Sequence, residues 1–207
     1  MSKKTDLCAA LAFEAGVPVK EVNEQQRRLS ESPGGFGPRF SKAKDSQVFS
    51  NMHLASQTVA TMIRSPSRRA PLDVQALAET ELTSDSFAKI DAVRLKITEA
   101  APDLALFLEP RHSLMDAIAA LYGVARRFPD LLEQAMFNTA IEIDHLRFDG
   151  AIYLEVENPN RPGELIFADT LEYAAPKVAH RGQLTIVSRL PARSILAVAT
   201  VADRAIP

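Results

Sequence analysis

Residues 6–29 read DLCAALAFEAGVPVKEVNEQQRRL, and the spacing of the apolar residues in this stretch predicts two helices joined by a tight turn. Apolar side chains recur at helical intervals on both sides of Gly16, with Leu7, Ala10, Leu11 and Ala15 before it and Val19, Val22 and Leu29 after it. Gly16 and Pro18 interrupt the period. Proline suits the first turn of the second helix because its missing N–H would have no partner there.

Two positions around the turn fit the crossing of one helix over another. If Gly16 is the turn glycine, Ala12 lies where crossing helices leave no room for a larger side chain, and Val22 lies on the inward face. The pattern resembles the helix-turn-helix of bacterial and phage DNA-binding proteins, over about 24 of the 207 residues. Gln25 departs from it, because such motifs usually carry a second apolar residue at that position; Leu29 could make that contact instead.

The resemblance implies that the second helix binds DNA with its outer face. The residues on that face that could bond base edges and phosphates are Lys20, Asn23, Glu24, Gln26, Arg27 and Arg28. A glycine-rich loop follows at residues 30–41, where Arg39 is a further candidate for a phosphate contact. The alternatives are an ordinary helical hairpin with a solvated polar face, followed by a flexible connector.

Charge is unevenly divided along the chain. Residues 1–70 hold 11 lysines and arginines against 6 acidic residues, a net of +5, whereas residues 71–207 hold 13 against 20, a net of −7. A basic head on an acidic body is typical of a DNA-binding module joined to a module that does not touch DNA, although charges also cluster by chance. The split favours double-stranded DNA as a partner.

The sequence predicts an α+β fold with a small all-helical head. A third helix at residues 44–63 would close the core of the head, and residues 65–71 (SPSRRAP) look like an extended connector. We therefore expect a helix-turn-helix domain at 1–64, a linker at 65–71 and an α+β oligomerisation or effector domain at 72–207. The order of helix pair, glycine-rich basic loop and alanine-rich helix is similar to that in proteins of alphaproteobacterial prophages.

The body is predicted to begin with helices and to end in an antiparallel sheet. Helical spacing covers residues 84–100 and 112–127 and resumes at Pro129, whereas apolar residues alternate after Thr139. Asp149-Gly150 has the composition of a tight hairpin turn. A second turn is expected at 158–163, further strands at 164–168 and 184–187, and a closing helix at 194–202.

Little in the sequence points to catalysis. His112 and His180 have no nucleophile at a recognisable spacing, so we expect neither an enzyme nor a cofactor. Glu142, Asp144 and His145 could bind a metal, but the alternation around them favours a solvated edge strand and no metal. Cys8, the only cysteine, is expected in the core, and the absence of a long apolar run predicts a cytoplasmic protein that does not enter membranes.

Two functional classes remain open at this stage. One is a bacterial or phage transcriptional regulator whose head reads an operator while the body forms a homo-oligomer, with a dimer favoured. The other is a phage assembly protein, since the order of basic helical head, middle helices and β region is similar to small terminase subunits. Prolines at 102, 110 and 129 interrupt the middle helices, which argues against the long hairpins of those subunits. A structural protein whose head packs on a partner protein is a third option.

Overall fold

The computed structural model describes residues 3–38, 49–100, 102, 104, 109–145, 149–158, 160–161, 163–175 and 187–203. Its helices are α1 (Lys3–Ala15), α2 (Val19–Glu31), α3 (Asn51–Met62), α4 (Ala70–Ala78), α5 (Ser84–Asp91), α6 (Arg94–Ala100), α7 (Leu114–Arg127), α8 (Pro129–Gln134) and α9 (Ala192–Asp203). Its strands are β1 (Glu81–Leu82), β2 (Ala140–Asp144), β3 (Asp149–Glu157), β4 (Leu165–Ala174) and β5 (Val187–Pro191). The predicted α+β class is confirmed.

The strands form one antiparallel sheet in the order β1-β4-β3-β2-β5. Along β3, Ile152, Leu154 and Val156 are buried while the residues between them are half-exposed. This period of two gives the sheet one apolar face and one polar face. The apolar face joins a core that also contains side chains of α3, α7 and α9.

The N-terminal helices pack directly on the rest of the protein. Every residue of α3 from Leu54 to Met62 is buried, and the helix lies against α7. Arg126, at the end of α7, donates to the Asn51 side chain (2.7 Å) and to the Phe49 carbonyl (2.9 Å), and its Nε lies 2.9 Å from an oxygen of Asp203. The division into domains at 65–71 stays a prediction, but the described residues on both sides of it share one core.

Residues 65–71 are compact, so the expected extended connector is wrong. Ser65 is buried, its Oγ donates to a carboxylate oxygen of Asp73 (2.5 Å), and α4 begins at Ala70. Pro71 lies in the first turn of α4, where proline is well accommodated. The prolines and arginines of this segment favour a linker in the sequence, whereas the structure has the helix α4 and the strand β1 directly after it.

The hairpin between β2 and β3 is present, but Asp149-Gly150 is not its turn. Asp149 pairs with Asp144, and Gly150 pairs with Ile143, so both residues belong to β3. Gly150 does not have a positive φ. It is needed because a Cβ there would overlap Cδ2 of Leu114, whose side chain is fully buried against the strand. Close packing, rather than turn geometry, therefore explains this glycine.

Other predicted elements differ from the structure mainly at their ends. The helix expected at 84–100 is two helices, α5 and α6, and the helix expected at 112–127 begins at Leu114 behind the capping residue Ser113. The turn expected at 158–163 is confirmed by its described residues: the N–H of Asn158 bonds the Glu164 carbonyl (2.8 Å), and Gly163 has a φ of +87°. The third helix begins at Asn51; residues 44–48 lie outside the described residues, as do 184–186 of the expected strand.

Two further expectations concern β2 and membranes. Glu142 and Asp144 were placed on an edge strand, but β2 lies between β3 and β5, and Asp144 is only 9% exposed. Among the described residues, none of the helices has the length and apolar character needed to cross a bilayer.

Candidate nucleic-acid interface

The turn between α1 and α2 is built by Gly16. Its φ is +64°, and its N–H bonds the carbonyl of Phe13 (3.3 Å), while the N–H of Val17 bonds the carbonyl of Ala12 (3.0 Å). This pair of bonds is the Schellman motif, which requires a left-handed residue just after the helix. A Cβ on Gly16 would meet nothing within 4 Å, so the backbone conformation, not space, selects glycine.

The two residues that the pattern places at the crossing of the helices are both buried. Ala12 is 3% exposed and Val22 is fully buried. Pro18 stands one position earlier than expected, at the N-cap of α2, where its carbonyl accepts from the N–H groups of Glu21 (3.0 Å) and Val22 (3.3 Å). The local geometry is thus helix, tight turn, helix, with small and apolar side chains at the contact.

Gln25 replaces the usual apolar contact with a buried polar one. Its Nε2 donates to the carbonyls of Ala60 (3.1 Å) and Ser65 (2.7 Å), at the end of α3. On the neighbouring turn, Gln57 of α3 donates to the carbonyl of Val22 (3.3 Å). Buried amides bonded to carbonyls are directional, so these contacts set the angle of α2 against α3 as an apolar pair would not.

Three of the predicted contact residues lie in one ionic cluster on the surface of α2. Arg27 bonds Glu24 (Nε–Oε2 3.0 Å) and Glu31 (Nη1–Oε1 3.0 Å), and Arg28 lies 3.4 Å from Glu24 and 3.7 Å from Glu31. The hydrogen bond from Arg27 lowers the pKa of Glu24, and the same bond raises the pKa of Arg27. The cluster is exposed, so it contributes little to stability.

Pairing removes most of the positive charge from this helix. The basic residues of α2 are Lys20, Arg27 and Arg28, and the acidic ones are Glu21, Glu24 and Glu31. The helix is therefore neutral overall, and its two arginines are already bound by carboxylates. Of its predicted contact residues, Lys20 is exposed and Asn23 is half-buried, and both lie in the first two turns of α2.

The placement of Gln26 on the outer face is wrong. Gln26 is 1% exposed, and its Nε2 donates to Ser30 Oγ (3.2 Å). The glycine-rich loop returns to the end of α2 here, since a Cβ on Gly37 would lie 2.7 Å from the same Oγ. The helical period puts Gln26 on the same face as the buried Val22, but its polar side chain favours the outer face in the sequence. Arg39, the other candidate, lies outside the described residues.

The residues considered for catalysis or metal binding have structural partners. His112 is 5% exposed, and its ring nitrogens bond Tyr173 Oη (2.8 Å) and the Glu109 carbonyl (3.0 Å). Burial lowers the pKa of His112 and raises that of Tyr173. Within the parts of the chain that the structure describes, no group of three or more His, Cys, Asp or Glu side chains is arranged to hold a metal.

His145, which the sequence analysis considers as a metal ligand, takes part in a chain of hydrogen bonds. Its Nε2 lies 2.7 Å from Ser188 Oγ, which donates to the carbonyl of Met62 (2.8 Å) at the end of α3. Burial lowers its pKa, and so does the nearby charge of Arg64. His180 lies outside the described residues.

No protein family, curated protein or solved structure matches this chain.

Proposed function

We propose that this protein binds double-stranded DNA through α2, as a bacterial or phage transcriptional regulator. The observation that carries the proposal is the α1–α2 turn, in which Gly16 closes a Schellman motif between two helices whose Ala12 and Val22 are buried. In helix-turn-helix proteins this arrangement leaves the N-terminal part of the second helix free to enter the major groove. The corresponding turns of α2 carry Lys20 and Asn23.

The side chains of α2 suit different parts of the DNA. The amide of Asn23 can pair with an adenine edge in two hydrogen bonds, whereas the ammonium of Lys20 suits a phosphate or a guanine. Arg27 would have to exchange its bonds with Glu24 and Glu31 for bonds to DNA, so it adds little to affinity. Base reading therefore depends on the first two turns of α2.

We further propose that the protein acts in the cytoplasm as a homodimer. One helix in one groove covers only a few base pairs, and dimers of such motifs read two half-sites about one helical turn apart. Light-scattering mass of the full chain, alone and with DNA, tests this part. A mass of two chains supports the regulator, whereas a ring of eight or more chains would favour a DNA-packaging role.

The test of DNA binding uses the full chain, because the head shares its core with the body. A duplex preferred by the protein is selected from a randomised pool, and affinity is measured by fluorescence anisotropy. Asn23→Ala should weaken binding to the selected duplex by about 5- to 150-fold, the loss of roughly 1–3 kcal/mol of base discrimination, and should change binding to a scrambled duplex little. Lys20→Ala should weaken both duplexes alike.

The matched control is Lys96→Ala, which removes one exposed charge from α6, far along the chain from the helix pair. Its affinity for both duplexes should equal that of the wild type. No binding of the wild-type protein to any duplex at low salt would refute the proposal. Equal losses for Asn23→Ala on both duplexes would show that α2 does not read bases.

A further inference from the structure

The end of α3 repeats the geometry that ends α1, with one difference. The N–H of Arg64 bonds the carbonyl of Thr61 (3.1 Å), and the N–H of Ser65 bonds that of Ala60 (3.1 Å), which is again a Schellman motif. Arg64 occupies the position that Gly16 occupies after α1, and its φ is +49°. It is the one residue other than glycine with a positive φ among those the structure describes.

Glycine is the usual residue at this position because a Cβ crowds the neighbouring carbonyl when φ is positive. Arg64 therefore holds its backbone in an unfavourable conformation, although it is exposed and has no hydrogen bond of its side chain within the described residues. Local strain of this kind, without a local benefit, points to a function of the side chain.

The turn that carries Arg64 is held rigidly beside α2. Gln25 of α2 donates to the Ser65 carbonyl (2.7 Å), Ser188 of β5 donates to the Met62 carbonyl (2.8 Å), and the Ser65 side chain bonds Asp73 of α4. Two of these bonds hold the backbone of the turn, and the third holds the Ser65 side chain. An exposed side chain on such a turn is held at a defined place relative to α2.

The charge that α2 lacks is present on this turn. Arg64 and Arg68 are exposed, and neither forms an ion pair with any residue in the described part of the chain. Arg69, also exposed, lies 3.4 Å from Asp73 and is partly neutralised. Unpaired guanidinium groups are the side chains best suited to phosphate oxygens, because no carboxylate has to be displaced.

We propose that the turn at residues 63–69 binds the DNA backbone, with Arg64 and Arg68 contacting phosphates while α2 contacts bases. This inference rests on the proposed DNA binding and assigns its electrostatic part to a second element. Each phosphate that the protein neutralises releases counterions, so the logarithm of the binding constant falls with the logarithm of salt concentration by about 0.9 per contact. The turn should therefore contribute two contacts to this slope, and α2 at most one, through Lys20.

The experiment measures affinity of the full chain for a random-sequence duplex over a range of salt concentrations. Arg64→Gln and Arg68→Gln should each lower the slope by about 1 and weaken binding to every sequence, and Arg64→Lys should restore the slope. The control is the double variant Arg161→Gln/Glu164→Gln, which removes an exposed ion pair at the turn before β4 without changing the net charge of the protein. Its slope should equal that of the wild type.

Arg64→Gly separates binding from folding. Glycine relieves the positive φ, so this variant should melt at a higher temperature than the wild type while binding DNA more weakly and with a lower slope. Weaker binding by a more stable protein cannot come from misfolding. An unchanged slope in Arg64→Gly and Arg68→Gln, in a protein that still binds duplex DNA, would overturn this inference alone. Failure of the wild type to bind any duplex would overturn the proposed function with it.

Discussion

For the replacement of Gln25 by leucine, the helix-turn-helix pattern and the structure predict opposite changes in stability. The pattern has an apolar residue at this position, so by the pattern alone Gln25→Leu should stabilise the protein. In the structure, the amide is 1% exposed and donates to the carbonyls of Ala60 and Ser65, at 3.1 and 2.7 Å. Leucine cannot donate, and the Ser65 carbonyl would lose its bond inside the protein.

The magnitudes favour destabilisation. Two hydrogen bonds contribute about 1 kcal/mol each, and a buried carbonyl left without a donor costs about 1–3 kcal/mol more. Burying two methyl groups in place of the amide returns roughly 1–2 kcal/mol. The net loss in the free energy of unfolding is therefore about 2 kcal/mol, which corresponds to a fall in melting temperature of about 4–8 °C for a chain of this size.

Urea denaturation followed by circular dichroism, together with a thermal melt, measures this loss. The control is Gln75→Leu on α4, where the amide is exposed and bonds Glu79 at 3.3 Å. That variant should change the free energy of unfolding by less than about 0.5 kcal/mol. If Gln25→Leu stabilises the protein, the bonds between α2 and the end of α3 do not hold the helix in place.

Two further predictions concern the body. Gly150→Ala should lower the free energy of unfolding by about 1–3 kcal/mol, because the new methyl group overlaps Leu114. Leu114→Val makes room for that methyl group, so the double variant should lose less than the sum of the losses of the two single variants. Urea denaturation measures all three losses. Burial lowers the pKa of His112, so folding favours its neutral form and stability should be complete above about pH 6.5 and fall as the pH drops below that value. Glutamine does not titrate in this range, so the melting temperature of His112→Gln should fall less between pH 7 and pH 5 than that of the wild type. An equal fall in both proteins would show that His112 does not cause the pH dependence.

The helix pair could be predicted because its determinants are local. Helical period, a glycine at the turn and a proline beside it all lie within residues 6–29, and Gly16 has the predicted role. The alternating strands were equally readable, as in β3. The register of the strands could not be predicted, because the pairing of Asp149 with Asp144 depends on the whole sheet and on the approach of Leu114 to Gly150.

At the candidate site, the burial of two polar residues could not be predicted from their residue type. Gln25 and Gln26 are adjacent and chemically identical, and both are buried. The periodicity of the helix does not show which residues elsewhere in the chain cover them. Gln25 bonds the end of α3, and Gln26 is enclosed where the following loop returns. The basic cluster at 64–69 is visible in the sequence, but only the structure shows that Arg64 takes a glycine position and that the cluster lies beside α2.

The packing of α1 against α9 has a consequence for synthesis on the ribosome. Glu14 of α1 accepts a hydrogen bond from Ser194 of α9, across 180 residues of chain, and α7 lies between α3 and α9 in the same core. A nascent chain that has released only α1, α2 and α3 lacks the surfaces that bury them, and such long-range closure is slow compared with local helix formation. The surfaces that bury the helix pair are therefore complete only after α9 has emerged, and under the proposed function we expect unfinished chains to bind DNA less well than finished ones.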